Sequence, residues 1–157
     1  MILAYRLLRL VETHSDKLAA MLLERTSHSP LLPDYKNVPS EELRERVREI
    51  YQHLAEWLLG KGDMDVEKRY LEIGAKRARQ DVPLSQLIWA IILTKKNLWE
   101  FVKQEAVLDQ PVEIAGELEV EELVDQFFDR AIFYAAVGYE RYVSEEAKLR
   151  QMINAVG

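Results

Sequence analysis

Apolar residues recur along this sequence at steps of three and four, the spacing that lines one face of an α-helix. Leu3, Leu7, Val11, His14, Leu18 and Leu22 form the first such stripe, which predicts a long helix from about Ile2 to Arg25. Thr26–Pro39 interrupts the pattern with three prolines and a concentration of Ser, Thr and Asn, the composition of a loop. Ser40 is placed to cap a second helix, about Glu41 to Leu59, with Glu41 and Glu42 in the first turn where the helix dipole favours negative charge. The inner stripe of this helix is Leu43, Val47, Ile50, Leu54, Trp57 and Leu58, and Gly60 and Gly62 follow as terminators. A third helix, capped by Asp65 and running near Val66–Gln80, turns Tyr70, Leu71, Ile73, Gly74 and Ala78 inward. Asp81-Val82-Pro83 is a tight break before a fourth helix, about Leu84 to Ala106. The Leu87–Leu93 centre of that helix is apolar on every side, which predicts the central helix of the fold.

Leu108–Gly116 reads as a loop around Pro111, and the last helix begins near Glu119. Unbroken to Ala155 it holds about 37 residues and is ~55 Å long, more than the width of a domain of this size, so its end projects, bends or pairs. Val120, Leu123, Val124, Phe127, Ala131, Tyr134, Ala135 and Gly138 form its core-facing part, whereas Tyr142, Leu149, Met152 and Val156 sit at coiled-coil-like steps among charges. No stretch alternates with the period of a strand, and the sequence holds no internal repeat. The pattern predicts an all-α bundle of about five helices with a long C-terminal helix. Residues 1–140 form the body, and residues 141–157 extend the last helix as a connector or dimer seam.

Composition narrows the class. The 157 residues are one domain's worth, 48% apolar and 31% charged. The absence of cysteine excludes disulfides, thiolate metal sites and cysteine nucleophiles, and it fits a reducing, cytoplasmic setting. A net charge of -6 argues against a nucleic-acid partner, whose phosphates call for clustered Lys and Arg. The longest apolar runs, Leu87–Leu93 and Ala131–Tyr139, fall far short of the ~20 residues that span a membrane. Arg6 and Arg9 break up Met1–Leu10, which lacks the pattern of a signal peptide.

Catalytic motifs are missing from the pattern. There is no glycine-rich phosphate loop, H-E-x-x-H, G-x-S-x-G or Glu-x-x-His, which removes nucleotide chemistry, serine hydrolysis and a ferritin-type di-iron centre. Glu49, His53 and Glu56 share one side of the second helix, as a solvated polar face or as half of a metal site. His14 lies within an apolar stripe, either as a core-edge histidine or as a haem ligand. Gly62-Asp63-Met64-Asp65 lacks the ligand spacing of a calcium loop and reads as a capping turn. Lys68, Arg69, Lys76, Arg77 and Arg79 make the third helix positive, with Lys95 and Lys96 on the fourth, while Glu117, Glu119, Glu121, Glu122, Asp125 and Asp129 open the last helix. These are complementary solvated faces or a docking surface. The aromatics of the last helix exceed what one buried stripe needs, so Phe127, Phe133 and Tyr134 with Trp89 are candidates to line a ligand pocket, haem included.

Ile73–Trp99 reads IGAKRARQDVPLSQLIWAIILTKKNLW. It resembles the N-terminal regulatory domain of RsbRD-type co-antagonists of the bacterial stressosome, in which a helix ending R-A-x-Q-x-V-P-L leads into one ending L-W. Arg77, Ala78, Gln80, Val82, Pro83, Leu84, Leu87, Ala90, Leu93, Leu98 and Trp99 carry the match. Pro33-Asp34-Tyr35 and Trp57-Leu58 extend it over most of residues 1–140. One departure is Asp81, where that family usually has Gly. The resemblance implies a non-enzymatic input domain placed before a signalling output, such as an anti-sigma-antagonist-type domain or a kinase.

Three expectations follow, from different classes. The first is a regulatory domain that forms a homodimer through Tyr142, Leu149 and Met152 and passes its signal by shifting helix packing, with Arg77, Gln80, Pro83, Leu84 and Trp99 as structural anchors. The second is a globin-like small-molecule or haem sensor using His14, Trp89, Phe127, Phe133 and Tyr134. The third is a metalloprotein built on Glu49, His53 and Glu56.

Overall fold

The computed structural model describes residues 6, 9–11, 13–58, 63–105 and 111–156, and among these it is helical with no strand. Among the described residues from Ser15 onward, the elements are α1 (Ser15–His28), a 3-10 turn (Pro33–Asn37), α2 (Ser40–Leu58), α3 (Asp63–Arg79), α4 (Leu84–Glu105) and α5 (Pro111–Val156). The all-α architecture with a long last helix is the one the periodicity predicts.

Several boundaries differ for identifiable reasons. The expected first helix is interrupted at His14, whose φ of -116° and ψ of 22° are not helical. Bonds from His14 N–H to the Leu10 carbonyl (3.0 Å) and from Leu18 N–H to the His14 carbonyl (2.9 Å) carry the ladder across the break. Leu3 and Leu7 lie outside the described residues, as do Gly60, Gly62 and Ala106. The C-terminal end of α1 runs past Arg25 to His28, and the buried Thr26 in its last turn donates its hydroxyl to the Leu22 carbonyl at 2.7 Å. In α2 the first ladder bond runs from Leu43 N–H to Pro39 C=O, so Ser40 is inside the first turn and is not the cap. Helix α3 begins at Asp63, which puts Asp65 in its first turn too.

The last helix starts at Pro111, not Glu119: the proline taken as a loop marker occupies the first helical position, where a missing N–H costs nothing. At 46 residues, α5 is about 69 Å long at 1.5 Å per residue. The fold is organised around it, and α4 is not the enclosed central helix. Leu87, Ile91, Leu98, Phe101 and Val102 of α4 are buried, while Ile88, Trp89 and Ile92 are only half-buried.

The most extensive helix pairing is α3 against α5, and it depends on two glycines. A Cβ placed on Gly74 would lie 2.0 Å from the Ala135 carbonyl oxygen, and one on Gly138 would lie 2.1 Å from that of Leu71. The two backbones therefore touch, which no larger residue permits. Around this crossing Phe127, Phe128 and Tyr70 form the aromatic core, with Phe127–Phe128 edge to face at 5.2 Å and Tyr70–Phe127 at 6.0 Å. A buried polar bridge ties three helices: Asn97 Nδ2 donates to the Leu18 carbonyl (3.1 Å) and to Tyr51 Oη (3.2 Å), and Tyr51 donates to the Thr94 carbonyl (3.3 Å).

A smaller cluster of Leu32, Tyr35, Val38 and Val82 joins the 3-10 turn to the α3–α4 connection. Trp89, Ala90 and Leu93 pack on it from α4.

Candidate functional site

Helix α3 ends in a turn that the sequence dictates residue by residue. Asp81 has φ 58°, the left-handed region, and it is the position at which the resembling family usually carries Gly. Val82 N–H bonds to the Arg77 carbonyl and Asp81 N–H to the Ala78 carbonyl, both at 3.1 Å, the paired bonds of a Schellman cap. Val82, the residue after the left-handed one, is fully buried. The Pro83 carbonyl then accepts from Gln86 N–H (3.0 Å) and Leu87 N–H (3.1 Å), so it caps α4. Departing from Gly at position 81 alters the residue and leaves the geometry intact, because Asp tolerates left-handed backbone better than most side chains.

Three elements meet on this turn through a polar hub. Arg77 is 2% exposed, and its Nη1 donates to Glu42 Oε1 (3.1 Å) and Gln80 Oε1 (2.8 Å). Gln80 Nε2 donates to both Glu42 oxygens, at 3.0 and 3.1 Å, and Lys76 Nζ lies 3.1 Å from Glu42 Oε1. Burial alone would raise the Glu42 carboxyl, but hydrogen bonds from Lys76, Gln80 and Arg77 outweigh it and hold the group below its ordinary range. Burial pushes the Tyr35 phenol up to about 12, against the charge and hydrogen bond of Arg77. Asn37 Nδ2 donates to the Gln80 carbonyl (3.2 Å), and Asp34 and Gln86 exchange two bonds at 2.9 and 2.6 Å. From the other side Tyr139 of α5 donates its hydroxyl to the Val82 carbonyl at 2.7 Å.

Helix α5 leaves the body beside this turn. The Arg79 guanidinium sits 5.9 Å from the Tyr142 ring. Beyond it Val143, Leu149, Met152, Ile153 and Val156 are all exposed. On the helical wheel, Leu149, Ile153 and Val156 continue the same face that upstream buries Val124, Ala131 and Ala135, and Met152 borders it.

The anchors Arg77, Gln80, Pro83 and Leu84 thus converge at one junction, whereas Trp99 packs half-buried against the main core toward the far end of α4. The five residues suggested for a pocket are not brought together. His14 lies tilted at 57° against Phe101 with ring centres 5.5 Å apart, Trp89 lies under the Lys96 ammonium at 4.7 Å, Phe127 is fully buried, and Phe133 is 62% exposed with Tyr134 beside it. Nor do Glu49, His53 and Glu56 form half of a metal site. The Glu49 carboxylate is taken by Arg46 at 2.9 Å and by Arg69, and among the described residues no group of three His, Asp or Glu side chains is placed to hold a metal. Asp63, Met64 and Asp65 are helical, not a calcium loop. Part of the charge asymmetry is internal, since Lys95 pairs with Asp125 at 3.3 Å.

Sequence reasoning placed Glu42 as a first-turn acid and missed its partners, along with the roles of Tyr35, Gln86 and Tyr139. The available signal was Arg77 itself: on α3 it lies one turn past Ile73 and two past Tyr70, on the inward stripe, and a buried guanidinium calls for a carboxylate.

A family model matches residues 6–152, described as the RsbT co-antagonist protein RsbRD N-terminal domain. The chain belongs to that family. This makes it a regulatory signalling domain of the stressosome type. No curated protein and no solved structure matches the chain. Among the described residues no helix is long and apolar enough to cross a membrane.

Proposed function

We propose that this RsbRD N-terminal domain is a cytoplasmic input module whose body, residues 1–140, controls the position of α5, and that residues 141–157 relay the change to a second copy and to an output partner. An anti-sigma-antagonist-type domain or a kinase is the class of partner that fits. One observation carries the reading: the face of α5 that packs inside the body continues past the α3–α4 turn as an exposed stripe of Leu149, Met152, Ile153 and Val156. An apolar stripe at coiled-coil spacing on a projecting helix is stabilised by another helix. Tyr142, Leu149 and Met152 are the pairing residues in this reading. The polar hub supplies the control, because Tyr139 ties α5 to the same turn that Arg77, Gln80 and Glu42 hold.

Light scattering on the eluting chain tests the pairing. A dimer is expected at high micromolar concentration, and Leu149→Lys with Met152→Lys is expected to yield a monomer with an unchanged circular dichroism spectrum. A wild-type chain that stays monomeric across that range overturns the reading.

A further inference from the structure

Helices α2 and α3 border an open groove of about 520 Å³ lined by Arg46, Arg69, Glu72, Ile73, Lys76 and Arg79, with Gln80 toward the C-terminal end of α3. The α3 residues follow one another at steps of three and four, so one face of that helix forms the wall, and Arg46 of α2 stands opposite. The acids beside these cations are shared between them. Glu49 takes Arg46 at 2.9 Å and also Arg69, Glu72 takes Arg69 again at 3.0 Å, and Glu42 takes Lys76 and the buried Arg77, each at 3.1 Å. Glu45 pairs with Arg48 outside the groove. Arg79 is exposed and meets the Tyr142 ring, and among the described residues no carboxylate pairs with it. Five cations, Arg46, Arg69, Lys76, Arg77 and Arg79, thus stand against three carboxylates, Glu42, Glu49 and Glu72. The result is a local positive excess in a chain whose net charge is -6.

We propose that this groove binds a small phosphorylated molecule, with Arg79, Lys76 and Arg69 as the cations that hold its phosphoryl group. A phosphoryl group carries about -1.5 to -2 charges at neutral pH, which matches the local excess, whereas a carboxylate supplies only part of it. Its oxygens are acceptors, and a guanidinium has more N–H donors than these ion pairs use. The volume is that of a small-molecule site and exceeds a phosphate ion, which leaves room along Ile73 for an organic part. Lys76 and Gln80 line the groove and also hold Glu42 in the polar hub, so the ligand competes with Glu42 for them. Occupancy thereby bears on the turn that holds α5. The role as a signal rests on the proposed input function, but binding itself does not.

The test uses the full chain labelled with ¹⁵N and titrated separately with phenyl phosphate, inorganic phosphate and benzoate. Sodium chloride holds the ionic strength constant, and the pH is kept above the second phosphate ionisation near 6. Saturable shifts centred on the arginine Nε–H groups of Arg46, Arg69 and Arg79 and on the amides of α3 are expected, with phenyl phosphate binding tightest and benzoate weakest. Arg79→Gln, at an exposed position without an ion pair to lose, should raise the phenyl phosphate dissociation constant about 3- to 10-fold, as should Lys76→Gln. Lys103→Gln makes the same change in net charge at an exposed position on α4 and should leave the constant unchanged. Non-saturable shifts, shifts spread over all surface cations, equal weakening by Lys103→Gln, or phenyl phosphate binding no tighter than benzoate or more weakly than inorganic phosphate would each overturn the proposal. The readout is the site of the shifts and not the oligomeric state, so a failure here is distinguishable from a failure of the pairing.

Discussion

Two stretches of α5 present the same face to opposite surroundings. From Val120 to Tyr139 that face is enclosed: Val124, Phe127, Phe128, Ala131 and Ala135 are fully buried, and the helix meets α3 backbone to backbone at Gly74 and Gly138. From Val143 to Val156 apolar residues recur on it, yet Leu149 is 57% and Met152 66% exposed. Nothing in local helix chemistry separates the stretches. The difference is that α3 stops, at the left-handed Asp81, and removes the partner. Periodicity reports which face is apolar, while burial is decided by whether a neighbour reaches it.

Mutations that treat the two stretches alike sharpen this comparison. The largest effect is expected from Phe127→Ala, which empties the aromatic centre: about 4 kcal/mol lost in chemical denaturation. A similar loss from Leu149→Ala would abolish the distinction. Acid comes next, because it acts on the hub that ends the enclosed stretch. Glu42 has a folded pKa below its ordinary value of 4.5, so its stabilisation is complete above that value and is lost as pH falls below it, through the lowered pKa. Stability measured from pH 6 to pH 3 should therefore decline with a contribution that Glu42→Gln removes. A wild-type and Glu42→Gln pair with parallel profiles would show that the carboxylate is not coupled to folding. The smallest effect is Leu149→Ala, below about 0.5 kcal/mol when measured at a concentration where the chain is monomeric.

Most of the fold was legible because each helix announces itself by an apolar stripe, and each miss has a local cause. His14 fits the stripe of the first helix, so periodicity could not reveal that its backbone leaves helical geometry. Pro111 was read as a loop residue although proline is equally at home in a first helical turn, and only packing of the downstream stripe decides between the two. The Leu87–Leu93 run suggested total burial, yet half of its side chains cover the small cluster at the 3-10 turn or face outward.

The candidate site was legible in outline. The junction motif pointed to Arg77, Gln80 and Pro83, and coiled-coil spacing pointed to Tyr142, Leu149 and Met152. What stayed hidden were long-range partners: Glu42 lies 35 residues from Arg77 and Tyr139 lies 57 from Val82, separations at which no periodicity operates. Asp81 is the instructive case between these extremes. Its departure from Gly named the residue where the backbone is unusual, though not what the turn holds.

The glycine crossing has a mechanical consequence. Where two backbones touch, the contact is hard and small, which makes it a fulcrum. From Gly138 to Val156 the helix extends about 27 Å at 1.5 Å per residue. A tilt of about 5° at that fulcrum displaces the tip by roughly 2 Å, of the order of the helix shifts that switch interfaces in regulated assemblies. Sub-ångström rearrangements among Arg77, Glu42 and Tyr139, a few residues from the pivot, are thereby multiplied along the shaft before they reach any partner.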